Sequence, residues 1–304
     1  SDVCSSDLFR FRQVREIGGE LFTRAKAFYR RIDTSGIPDG AALAVFNTSG
    51  SARTDYVEST VDFDARPTMM LDFNHTDDAG RYPRPYVDNS AEAMREVPTA
   101  VRVFDGEREL PAVLVEAKVS NFMDLGYRRF PHQYNVNRCV IGFVAEDVPA
   151  LGYKTLRVEP VYGPASEAAA NSAVIENGFF KVEPDLALGA FTVTDKRSGR
   201  VLRGMGRLSD GGDCGDEYTY CPPDRDAIVY PAPESLSARV AEASAARQVL
   251  EIKGVMRLPK GLYNRSEARS PEEEDCPFTC RVTLYPGVRR IDMKTTFENR
   301  AEWH

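Results

Sequence analysis

The chain has 304 residues, of which 42% are hydrophobic and 28% charged, and its net charge is −7. That length suits two domains with cores of their own, and the acidic balance argues against nucleic acid, which wants a basic face. The apolar runs are a few residues long against the ~20 a bilayer span needs, so no membrane crossing is expected.

Residues 1–8 lack the Met, basic region and apolar region of a signal peptide. They match the translation of a common sequencing-adaptor oligonucleotide and are set aside as an artefact. Residues 9–33 read as an amphipathic helix. Phe11, Val14, Leu21, Phe22, Ala25 and Phe28 recur at threes and fours, while Arg12, Arg15, Glu16 and Glu20 take the other face. Asp33, Thr34, Ser35 and Gly36 close it. One stripe cannot bury itself, so this helix is expected to pack on a neighbouring element upstream.

From Ala41 the pattern switches to period two, and residues 41–160 read as a small β-sandwich. Its signals include the buried run Ala42 to Asn47, the alternating run Asp55 to Asp64, and a hairpin turning at Asp105 and Gly106. Residues 69–98, rich in Asp, Pro and Asn, read as an inserted loop. Residues 161–173 form a small-residue linker, and 174–304 a larger β-sandwich in which 262–275 is a charged, solvated loop. The fold class is therefore mainly β. Residues 295–301 are still strand-like close to His304, so both ends read as cut.

Chemistry is sparse. The histidines are His75, His132 and His304, and only His75 has a ligand-like neighbour, Asp77, inside a turn-like polar segment. With Cys4 set aside in residues 1–8, the remaining Cys139, Cys214, Cys221, Cys276 and Cys280 are scattered and odd in number, which favours free thiols in a reducing, cytoplasmic compartment. Neither a Gly-x-Ser-x-Gly elbow nor a dinucleotide-binding glycine pattern occurs. The best candidate is the acidic loop with Asp210, Asp213, Asp216 and Glu217, whose spacing does not suit a calcium loop. Sugar recognition needs carboxylates for hydroxyls and aromatic faces for the ring. Asp216, Tyr218 and Tyr220 supply both, and in an extended segment they would share one face. The alternative is a solvated turn with both tyrosines in the core.

Several segments, taken in order, carry a resemblance. They are Phe9 to Leu21, Ala44 to Asn47 (with Thr48 where proline is usual), Val148 to Val158, Ile175 to Glu183, and Gly215 to Pro223 with its Gly-x-x-Tyr. Together they resemble the C-terminal portion of the α-mannosidases of glycoside hydrolase family 38: the last bundle helix followed by β-sandwich domains, the larger one mutarotase-like. The resemblance implies a retaining glycosidase with an aspartate nucleophile, a second carboxylic acid and a zinc ion held by two Asp and two His. The nucleophile and metal ligands are expected upstream of Phe9, in a missing N-terminal catalytic domain. No catalytic residue and no metal ligand is carried onto this chain, and no cofactor is expected on it. What is carried over is substrate binding by Tyr218, with Asp216 as a weaker companion. The expected partners are the mannoside, the catalytic domain and possible further copies of the chain. The rivals are a stand-alone carbohydrate-binding module and, last, a sugar mutarotase, for which His304 is the sole histidine in the second sandwich.

Overall fold

The computed structural model describes residues 2–26, 31–35, 37, 41–70, 86–87, 96–124, 132–164, 173–216, 218–264 and 267–302. Helix α1 spans Asp2–Lys26. It starts earlier than the periodicity predicts, because residues 2–8 contain neither Gly nor Pro and continue the helix. Residues 27–30 of the predicted helix lie outside the described residues, and residues 31–33, expected at its end, are not α-helical. Leu8, Phe9, Phe11, Val14, Ile17 and Leu21 remain 59–73% exposed, so the apolar stripe is uncovered here. Among the described residues no helix is long and apolar enough to cross a membrane.

The strands of the first unit are β1 (Ala41–Asn47), β2 (Arg53–Met70), β3 (Tyr86–Val87), β4 (Ala100–Asp105), β5 (Arg108–Leu110), β6 (Ala112–Asp124), β7 (His132–Val148) and β8 (Gly152–Val161). They form two antiparallel sheets ordered β1-β8-β4-β5 and β3-β2-β7-β6. Alternation places Val103, Ile141, Phe143, Leu156 and Val158 between them. The predicted turn at Asp105 and Gly106 joins β4 to β5, with Gly106 at φ +60°. Within the predicted insertion, Tyr86–Val87 pairs with Met69 and Met70, while 71–85 and 88–95 lie outside the described residues.

The second unit begins with β9 (Ile175–Glu176), β10 (Phe180–Asp185), β11 (Ala190–Asp195) and β12 (Val201–Met205), in one sheet ordered β12-β11-β10-β9. Its facing sheet, β13-β14-β17-β18, comprises Ser237–Ala243, Gln248–Pro259, Glu273–Leu284 and Ile291–Phe297. Between them lies a core including Phe191, Leu250, Ile252, Met256, Phe278 and Leu284. Cys276 and Cys280 both point into it, as their spacing on one strand predicts. A two-stranded ribbon, β15 (Leu262–Tyr263) with β16 (Ala268–Arg269), interrupts the stretch read as a solvated loop. That reading fails at Arg269, whose side chain is 5% exposed.

The two units meet at a polar and aromatic seam. Tyr56 of β2 stacks on Tyr285 with ring centroids 4.4 Å apart. Arg247 donates to Tyr56 Oη at 2.9 Å, Glu58 Oε1 at 2.8 Å and Glu242 Oε1 at 2.9 Å. Arg290 Nη1 donates to Asp55 Oδ1 at 2.6 Å. Tyr56 lies flat across β7 because Gly142 has no side chain: a Cβ there would stand 1.9 Å from Tyr56 Oη.

Candidate functional site

The acidic loop is built outward from a neck. Asp210 and Val229 exchange backbone hydrogen bonds at 2.9 and 2.8 Å, which closes a loop of the intervening residues. Arg269 reaches into that neck from β16. Its Nη2 donates to Asp210, its Nη1 donates to Ala227 O at 3.4 Å, and Asp226 Oδ1 lies 3.7 Å away. Asp226 Oδ2 in turn accepts from Gly212 N at 2.9 Å. A Cβ on Gly212 would come within 2.9 Å of Arg269 Cδ and of Pro223 Cγ, so glycine is what lets the loop lie against the guanidinium stem.

Beyond the neck the chain folds into a narrow hairpin. Cys214 N donates to Cys221 O at 2.8 Å and Asp216 N donates to Thr219 O at 3.2 Å. Asp213 Oδ1 accepts from Gly215 N at 2.8 Å and Cys221 N at 3.1 Å. Those bonds, from Cys221 first, hold its carboxyl below the usual carboxylate range. Asp216 Oδ1 accepts from the amides of Tyr218 and Thr219 at 2.9 and 2.8 Å, an Asx turn that sets the hairpin tip.

The extended arrangement expected for Asp216, Tyr218 and Tyr220 is therefore wrong. Asp216 caps a turn with one oxygen committed to the backbone, and Tyr218 sits at the tip. The chain reverses here because Gly215 allows Thr219 O to approach within 1.8 Å of where a Cβ would be. The tyrosines are not in the core either, since Tyr218 is 83% and Tyr220 65% exposed. Glu217 lies outside the described residues. Beside the hairpin runs an open trough of about 640 Å³ bordered by Asp213, Cys214, Lys260, Leu262 and Ser270. The arrangement can offer a phenol and a ring face at a projecting tip, with polar groups below.

The resemblance implies zinc, with its ligands expected outside this chain. Among the described residues no three His, Cys, Asp or Glu side chains gather to hold a metal. His75 and His304 lie outside the described residues, as does the side chain of His132. Sequence reading missed Arg269, whose two carboxylate partners lie 43 and 59 positions away and leave no local signature.

No family model matches the chain. Over 285 residues it is 22% identical to a putative mannosylglycerate hydrolase of Halalkalibacterium halodurans, covering 86% of this chain and 30% of that protein. The crystal structure of an α-mannosidase from Enterococcus faecalis V583 superposes with a TM-score of 0.75 at 21% identity, over 97% of this chain and 34% of that one. A glycosyl hydrolase family 38 protein from Enterococcus faecalis gives a TM-score of 0.74 at 21% identity, over 97% and 36%. The chain thus spans about a third of the length of the relatives it matches. This chain shares the fold of these two solved structures, one an α-mannosidase and the other a protein of glycosyl hydrolase family 38, the family that its residues resemble.

Proposed function

We propose that this chain is the β-sandwich portion of a retaining, zinc-dependent glycoside hydrolase acting on α-mannosides. In this reading the nucleophile, the acid and the zinc ligands come from protein outside these 304 residues. Zinc would there hold sugar hydroxyls. This chain's part is to present Tyr218 to the sugar, with Asp216 shaping the turn and offering its second carboxylate oxygen. The observation that carries the reading is the projecting hairpin. A tyrosine at its tip is 83% exposed, yet its backbone is fixed by hydrogen bonds at the tip and an arginine at the neck. A fixed, exposed aromatic suits a pocket whose other wall is a separate domain. The exposed helical stripe of α1 suits burial against that same domain.

Two measurements test this. Residues 9–304 alone, supplied with zinc and an aryl α-mannoside, are expected to show no turnover, and measurable hydrolysis would overturn the reading. In the full-length protein, Tyr218→Phe is expected to lower kcat/KM roughly two- to tenfold, the loss of one hydrogen bond worth about 0.5–1.5 kcal/mol. An unchanged kcat/KM would remove Tyr218 from the site. The paired exposure of Tyr218 and Tyr220 also suits a free-standing carbohydrate-binding module. Saturable mannoside binding by the isolated chain, lost in Tyr220→Ala, would favour that second reading.

A further inference from the structure

We propose that Cys214 and Cys221 are a modification site, a dithiol that closes reversibly to a disulfide across the hairpin and locks the turn bearing Tyr218. The two residues oppose each other on the same rung, with Cys214 N donating to Cys221 O at 2.8 Å. The Cys214 thiol itself donates to that carbonyl at 3.1 Å, so its sulfur already lies against the partner residue. Residues directly opposed across antiparallel chain segments have Cα atoms about 4.5–5.5 Å apart. That falls inside the roughly 4.4–6.8 Å that a disulfide spans. The next rung, Asp216 to Thr219, and the Asp213 carboxylate hold the register, so the thiols meet without a search.

Selectivity follows from exposure. Cys139, Cys276 and Cys280 each have no accessible surface, whereas Cys221 is exposed and Cys214 partly so. Desolvation, then the hydrogen bond with the Cys221 thiol, pushes the Cys214 thiol above its ordinary range. Cys221, the more exposed of the two thiols, is the first nucleophile. Its thiolate attacks one sulfur of a small-molecule disulfide RSSR, breaking that bond, forming Cys221–S–SR and releasing RS⁻. The Cys214 thiolate then attacks Cys221 Sγ, forming the intrachain bond and expelling the second RS⁻. The two thiol protons pass to the leaving thiolates, giving two RSH, and the two electrons lost by the cysteines reduce RSSR. An exposed bond in so short a loop is among the reducible kind.

The test uses the folded chain in a Cys4→Ser background, oxidised glutathione as RSSR, and tryptic digestion without reductant. Cleavage after Arg207 and Arg225 leaves both cysteines in one fragment. That fragment is expected to lose two hydrogens in mass and to regain them with dithiothreitol. In Cys214→Ser it should instead carry one glutathione on Cys221. A native fragment that stays unmodified, or that carries glutathione at either position without bridging, overturns the proposal. Hydrogen exchange at Tyr218 and Thr219 should slow on oxidation, and unchanged exchange with a formed bridge overturns the locking. These outcomes do not depend on mannoside hydrolysis, so this proposal and the glycosidase reading fail separately.

Discussion

Arg269 decides where the hairpin points. It is buried between two carboxylates from opposite ends of one loop, so removing its charge takes an ion-pair partner from each. Arg269→Met is expected to cost about 3–5 kcal/mol, the range for breaking a largely buried pair. Amides from 210 to 229 should then exchange faster while those of β14 do not; uniform loosening would contradict a local role. Glu251 is a second buried charge, 1% exposed on β14 between Arg239 and Arg281. Burial raises its pKa, but the hydrogen bonds from Arg281 and Arg239 outweigh burial and hold it below the usual range. A depressed pKa stabilises the fold above the unfolded carboxylate value, about 4.3, and that contribution is lost as pH falls through the folded value. Glu251→Gln should therefore be less stable by about 1–3 kcal/mol at neutral pH. Denaturation series should show the gap closing below about pH 4, and a gap constant with pH would refute the assignment. Neither residue announces itself in sequence. Arg269 looks like one more charge in a polar stretch, and Glu251 sits in a strand whose apolar neighbours hide the ion cluster.

Strands were the most legible elements, because one buried face imposes period two on the residues that line it. The β14 and β17 pair, with Leu250, Ile252, Phe278 and Val282 inward, is the plainest case. The hairpin was not legible as such. Its two short rungs carry no apolar alternation, and its turn rests on side-chain-to-backbone bonds from Asp213 and Asp216. Gly215→Ala tests that account at the level of the element. The added methyl meets Thr219 O, so the turn must open, by about 1–3 kcal/mol of overpacking. Amide exchange at Tyr218 and Thr219 should rise by tenfold or more, whereas a hairpin that keeps its protection would show that another register is available. The ribbon of β15 and β16 escaped notice for a related reason, since two residues per strand are too few to establish a period.

At the scale of the molecule, the two sandwiches are joined by groups that are largely polar, and Arg247 is the most connected of them. Burial would lower its pKa, but Glu242, Tyr56 and Glu58 more than compensate and keep the guanidinium charged. Arg247→Met is expected to weaken the seam by about 1–3 kcal/mol. Calorimetry of the variant should resolve two transitions; a single transition shifted as a whole would mean that packing alone couples the units. The stack of Tyr56 on Tyr285 depends in turn on the bare backbone of Gly142. Positions 56, 142 and 285 therefore form one packing unit. A chimaera that joins this small sandwich to a relative's large one needs all three to be exchanged together, or its halves will meet at a different angle.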